Sequence, residues 1–367
     1  MSEPSTARTA AKKKDGVARR PETGPRRDAA VGLFASNLAR TFSLVLVLGL
    51  LVSVVMLSIS VGARDIGLGT IVEALRAYNP SIEAHVTIHE LRIPRTVTGL
   101  VVAPALGLSG ALIQAFTRNP LADPGILGVN AGAAFAVTLA VGLLGVTAPL
   151  GYVWCALVGA GAVTVVVYLL GTLGGGQATP AKVTLAGVAI GAVLSGVTTA
   201  IVLASRDTFD TMRFWGVGSL SGRGLDTALS FAPLIAVGIV LAACVARPLN
   251  ALALGNELAT SLGVKISKIR MTVILSVTLL AGTPTAVTGP IAFVGLMVPH
   301  IVRWCVGPDQ RWIFTFTVIV SPILLLGADI VGRILLPSGE LRVGLVTALV
   351  GAPVLILLAR RKSVSEL

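Results

Sequence analysis

Apolar runs long enough to cross a bilayer recur along this chain from residue 42 to residue 359. A hydrocarbon core of roughly 30 Å takes about twenty helical residues. Lipid offers no partner for an unpaired backbone N–H, so runs of this length must be helices. They fall near 42–63, 96–116, 126–146, 149–171, 183–204, 229–248, 271–289, 291–304, 312–335 and 342–359, which makes ten spans. Little is left over to build anything else, since 54% of residues are hydrophobic and 13% charged. Soluble domains carry about a quarter charged residues. The 41 glycines suit helices that approach closely in lipid. The expected fold class is an all-α polytopic membrane protein.

The stretch Leu91–Gly132 sets the pattern. Arg92 and Arg95 flank Pro94, about twenty small or apolar residues follow, and a stiff turn from Arg118 to Gly125 leads into the next span. Gly282, Pro284, Gly289 and Pro290 interrupt a later pair of spans, as either a loop or a broken helix. Gly110–Pro120 and Gly289–Pro299 share a glycine and a proline at equal spacing, too weak a match to establish a repeat.

The net charge of +12 is unevenly placed. Residues 1–40 are basic, Ala- and Pro-rich and without apolar periodicity, which predicts a disordered tail. A basic tail before a long apolar run reads as a cytoplasmic topology determinant facing anionic lipid, with no nucleic-acid role. With the N-terminus inside, twenty Lys and Arg lie on cytoplasmic segments and nine outside. Ten spans return the basic C-terminus to the cytoplasm. Arg92, Arg95, Arg333 and Arg342 lie at outer helix ends, where they either snorkel to lipid phosphate or capture carboxylates of an acidic partner through their planar forks.

Enzyme chemistry finds no support. There is no GxxxxGK[ST] phosphate loop and no nucleophile–base arrangement, so any ATP must be hydrolysed by another subunit. Cys155, Cys244 and Cys305 are scattered, with neither a disulfide framework nor metal spacing. His85 and His89 stand four apart but lack a third ligand, and read as a solvated amphipathic helix. His300 reads as a helix-end polar residue. Asp329, deep in a span, shares a helix face with Arg333 and reads as an interfacial ion pair, the alternative being a proton or ion site. The connection 249–270 carries short amphipathic pieces broken at Gly255 and Gly263. It is either a linker on the headgroups or a docking element whose Leu252, Leu254, Leu258 and Leu262 form one apolar face.

Several long motifs then stand in order: LRIPRT, SGALIQAFTRNPLADPGILGVNAG, RFWGVGSLSG, LGNELATSLGV, GPIAFVGLMVPHIVR, ADIVGR and ELRVGLVTALVGAPVLILL. From about residue 45 onward the chain resembles the permease subunits of bacterial ABC importers for iron–siderophore complexes, haem and cobalamin. The tail lies outside that resemblance and is longer than the family usually has. The resemblance implies ten helices in inverted-repeat halves, with a permease domain over 41–362. It implies a second permease copy or paralogue, two ATPase subunits and an extracytoplasmic substrate-binding protein, with no cofactor and no metal. Arg92, Arg95 and Arg333 would receive the binding protein. Leu254, Gly255, Glu257, Leu258, Leu262 and Gly263 would couple to the ATPase within the segment 249–270. Asn119 and Leu121, with Thr179 as a looser match, would form the cytoplasmic gate. The implied function is ATP-driven import of an iron–siderophore complex by alternating access. Haem or cobalamin import is the alternative within the family, and a stand-alone carrier or channel depending on Asp329 is the alternative outside it.

Overall fold

A computed structural model describes residues 33–34, 36–62, 66–146, 148–173, 179–336 and 339–360. Most of the basic tail, residues 1–32 and 35, therefore lies outside the described residues, as do Arg64, the glycine-rich 174–178, Arg361 and Lys362. Every described regular element is helical: α1 Asn37–Ser60, α2 Leu68–Arg76, α3 Glu83–Val86, a π-helical segment Thr87–Arg92, α4 Ile93–Thr117, a 3₁₀ turn Pro124–Leu127, α5 Val129–Gly142, α6 Pro149–Thr172, α7 Pro180–Ala204, α8 Arg206–Trp215, α9 Leu225–Ala253, α10 Asn256–Ser261, α11 Ile266–Thr288, α12 Val294–Val306, α13 Gln310–Ile334 and α14 Val343–Arg360.

Ten of these match the ten expected spans. Seven, counting α3 through α4 as one continuous 35-residue helix, are long and apolar enough to cross a membrane alone, and α5, α12 and α14 are shorter apolar helices. Boundaries shift where caps decide them. α1 begins at Asn37 because the Ser36 side chain accepts from the Ala39 N–H, which satisfies an orphan donor of the first turn. The interrupted region is a loop. α11 keeps Pro284 in its interior and ends where Gly289 takes φ 76°, and Phe293 at φ 69° precedes α12. The carbonyl that opens it is paired, since Ser219 N–H donates to Thr288 O at 2.8 Å, and Gly289 and Ile291 are buried. Irregular backbone at membrane depth is tolerated under such shielding.

α4 is the axis of the bundle. Of its most apolar window, 83% is buried. It packs against α9, α11, α12 and α13, while α5, α6 and α7 form a second group joined to it through α11. Its small residues make this possible. A Cβ on Gly110 would stand 1.8 Å from Gly295 O, and one on Gly107 would stand 1.9 Å from Ser321 Oγ. Gln114 adds hydrogen bonds from Nε2 to Gly295 O (3.3 Å) and Leu296 O (3.1 Å). The two glycine–proline segments noted in the sequence are therefore packed against each other through Gly110 and Gly295. α1 and α7 are peripheral, with 11% and 6% of their windows buried.

Candidate functional site

Both ends of α4 carry polar constructions. At its N-terminal end the LRIPR residues meet the last turns of α1 and α13. Arg92, on the π-helical segment, donates from Nη1 to Ile59 O (2.7 Å) and Ser60 O (2.5 Å), capping the carbonyls that α1 leaves unpaired. Arg95 grips Asp329 with both arms of its fork: Nε to Oδ2 at 2.9 Å and Nη2 to Oδ1 at 2.8 Å. Its Nη1 donates to Glu340 Oε2 at 2.6 Å and to Ser221 Oγ at 3.3 Å. Arg333 reaches the same carboxylate at 2.5 Å and also donates to Ser58 O at 2.7 Å. Ser58 Oγ in turn lies 2.8 Å from Thr96 Oγ1.

This network fastens α1, α4 and α13 together. Arg92, Arg95 and Arg333 are 5%, 8% and 4% exposed, and Asp329 is fully buried. The expected Asp329–Arg333 pair is present in the last turns of α13, and Arg95 shares its carboxylate. Two guanidiniums face Asp329 and Glu340, so charge is balanced where desolvation is costly. Both Asp329 oxygens accept from guanidinium N–H groups of Arg95 or Arg333. Above the network opens a cavity of 820 Å³ that the three arginines line together with Glu83, Glu90 and Glu340.

A second cleft of 490 Å³ shares Arg95, Ser221, Arg223 and Glu340 with this cavity and adds Tyr152, Phe214, Trp215 and Arg342. The Arg342 guanidinium lies 4.7 Å from the Phe214 ring centre and donates to Phe214 O. Arg213 lies over the same ring at 4.7 Å. Burial, with the like charge of Arg342 added, pulls the Arg223 guanidinium below the usual arginine range.

The histidines depart from expectation. His85 is buried and its Nδ1 accepts from Asn79 N–H at 3.2 Å, while His89 Nε2 is 3.0 Å from Ala74 O. They pin the short α2–α3 connection instead of lining a solvated face. His300 sits inside α12, edge-on to Trp304, not at a helix end. Among the described residues no group of three His, Cys, Asp or Glu is placed to hold a metal. The three cysteines are free thiols.

At the other end α4 stops where Arg118 adopts the left-handed conformation, φ 52°. Asn119 Oδ1 accepts from Leu121 N–H at 3.0 Å, an Asx turn that fixes the corner. Arg118 Nη2 donates to Asn256 Oδ1 at 2.8 Å. The corner and α10 are thus joined, a link that sequence spacing did not offer. Gly255 at φ 114° and Gly263 at φ 81° bracket α10, so the expected breaks are there for backbone reasons. Leu254, Leu258 and Leu262 are exposed together with Glu257, but Leu252 belongs to the core and leaves that face. Thr179 caps α7 by accepting from Lys182 N–H at 3.4 Å. Among the described residues no hydrogen bond joins it to the Asn119 corner. Asp123, next in the turn, caps the 3₁₀ turn through Gly125 N–H at 2.7 Å, and burial raises its carboxyl above the usual range.

The described helices form a membrane-type bundle with a polar cavity at one end of α4 and a short exposed helix at the other, the architecture of a multi-helix membrane protein. Residues 50–361 match the model of the FecCD transport family. The chain belongs to that family and is the permease, the transport component, of an ABC importer. It is 45% identical over 315 residues to the ferric enterobactin transport system permease protein FepD of Escherichia coli (strain K12), covering 86% of this chain and 93% of that one. It is 39% identical to the iron(3+)-hydroxamate import system permease protein FhuB of Bacillus subtilis (strain 168), covering 83% and 79%. A solved metal-chelate type ABC transporter in an inward-facing conformation superposes with a TM-score of 0.77 at 27% identity, over 87% of this chain and 99% of that chain.

Proposed function

We propose that this permease moves a ferric siderophore across the cytoplasmic membrane by alternating access, with ATP hydrolysed by two separate subunits beneath it. A second permease copy or paralogue completes the path, and an extracytoplasmic binding protein delivers the ligand. The N- and C-termini and α10 face the cytoplasm, as the basic ends favour. The binding protein settles over the 820 Å³ cavity, and Arg92, Arg95 and Arg333 hold the helix ends it presses on. Because Asp329 occupies Arg95 and Arg333, a carboxylate from the partner must compete with Asp329 or Glu340 to reach them. The exposed Leu254, Leu258 and Leu262 with Glu257 present an apolar rim to the ATPase, whose motion passes through Arg118 to Asn119 and Leu121. Thr179, at the start of α7, is the other proposed gate residue.

The observation that carries this reading is the continuity of α4: one buried helix joins the arginine network to the Arg118–Asn256 hydrogen bond. The identity to a ferric enterobactin permease supports the iron chelate as substrate. The test is uptake of labelled ferric siderophore, haem and cobalamin in a deletion strain carrying this chain with its ATPase and binding protein. Uptake of the iron chelate that stops when either partner is removed is expected. Uptake without an ATPase would instead make the chain a stand-alone carrier.

A further inference from the structure

The 490 Å³ cleft meets the docking cavity at Arg95, Ser221, Arg223 and Glu340, but its far wall, with Tyr152, Phe214, Trp215 and Arg342, takes no part in the docking or gating roles. Its chemistry is specific. Arg223 and Arg342 line it with no carboxylate salt-bridged to either among the described residues, and Glu340 is already committed to Arg95. Arg223 Nε is buried without a partner. Trp215 lines the same cleft, is 4% exposed, and its indole N–H is buried without an acceptor. Buried donors left open cost free energy until something accepts from them. Phe214 and Tyr152 complete a wall of aromatic faces, with Phe214 held under Arg213 and Arg342.

We propose that this cleft is a contact site for an anionic, oxygen-ligated metal chelate on its way into the permease, with Arg223 and Trp215 Nε1 donating to the chelate's ligand oxygens. The inference rests on the import function above and narrows its substrate to anionic chelates with flat aromatic ligands. The concavity favours a small molecule over a protein side chain. The volume lies in the range of ligand pockets, roughly 300–1,000 Å³, and aromatic walls suit planar rings. Two guanidiniums with excess positive charge suit an anion, and they would not distinguish a neutral chelate.

The test uses the permease assembled with its ATPase in nanodiscs, without the binding protein, and follows quenching of tryptophan fluorescence. The probes are a ferric tricatecholate, which is anionic, and a ferric trihydroxamate, which is neutral. The tricatecholate should bind saturably, and Arg223→Gln should weaken it about tenfold or more. Trp215→Phe should weaken it less, Arg223→Lys should recover part of the loss, and neither change should alter any binding of the trihydroxamate. Unchanged tricatecholate affinity in correctly assembled Arg223→Gln would overturn the proposal. So would a loss confined to affinity for the binding protein, which would make the cleft a docking surface, or uptake of tricatecholate by the complete importer with no direct binding in nanodiscs. Failure of the complete wild-type importer to take up either chelate would overturn the import reading itself, and this inference with it.

Discussion

Asp329 is the residue on which most of the outer end depends. It sits at 0% exposure between Arg95 and Arg333. Replacing it with Asn keeps the shape but leaves two guanidiniums buried against one remaining carboxylate, the half-exposed Glu340. Breaking a buried pair in this way costs about 3–5 kcal/mol. Asp329→Asn is therefore expected to lower the melting temperature and the folded yield in detergent. Glu340→Gln, at a site with 38% side-chain exposure, should cost at most about 1 kcal/mol. Equal melting of both variants and wild type would remove the network from the account of stability. Asp123 makes the opposite case. Its raised carboxyl means that the fold favours the protonated form, so stability falls as pH rises from the ordinary carboxylate range toward the folded value, and is constant above it. Asp123→Asn keeps an oxygen for Gly125 N–H and loses that penalty. Melting curves across acidic pH should be flatter for the variant, and no less stable near neutrality. Of these residues, the pairing of Asp329 with Arg333 was legible because four residues on a helix make neighbours. Arg95 was not, because 234 residues separate it from Asp329, and no local pattern records that distance.

Elements were legible in proportion to what lipid demands of them. The ten spans could be read because a bilayer fixes their length and leaves their backbone no outside partner. The short α2, α3 and α8, and the π-helical Thr87–Arg92, run too few residues to show a period, and their positions come from tertiary contacts such as His89 with Ala74 O. The role of the α4 glycines was readable in kind but not in partner. Gly110→Ala would drive a methyl group into Gly295 O, a backbone atom that cannot move aside. The variant should fail to pack α4 on α12 and should lose the monodisperse peak in size-exclusion chromatography. Gly255→Ala, by contrast, meets nothing within 4 Å, and its cost is the positive φ alone. α10 shows the same limit from the other side: its bounding glycines and leucines were visible, while its bond to Arg118 was not. Leu258→Ala and Arg118→Ala test the two faces of that link. Leu258 is solvent-exposed, and Arg118 touches α10 through one hydrogen bond, so neither should change the fold. Both should leave basal ATPase activity of the assembled importer in place and reduce its stimulation by loaded binding protein. Full stimulation in both would sever α10 from coupling.

At the scale of the molecule, the proposed function depends on which face is which, because the arginine cavity and α10 lie at opposite ends of α4 and are assigned to different partners in that proposal. An even number of spans puts both termini on the α10 face, and the basic residues of the two ends favour the cytoplasm for that face. Without the N-terminal region the charge bias between the two faces is slight, so the orientation rests on the termini more than on the loops. It is checkable directly. Leu68 on α2 and Leu254 beside α10 are 60% and 64% exposed, and neither belongs to a packed core. In a background with Cys155, Cys244 and Cys305 replaced by alanine, Leu68→Cys should react with an impermeant maleimide added outside intact spheroplasts. Leu254→Cys should react only in inverted vesicles. The reverse pattern would place the arginine cavity in the cytoplasm, and an outer binding protein could not then meet it. Labelling of both from one side would mean an even number of crossings between them. The stretch from Leu68 to Leu254 contains α4, α5, α6, α7 and α9, five crossings, so opposite sides are the outcome that the helix order requires.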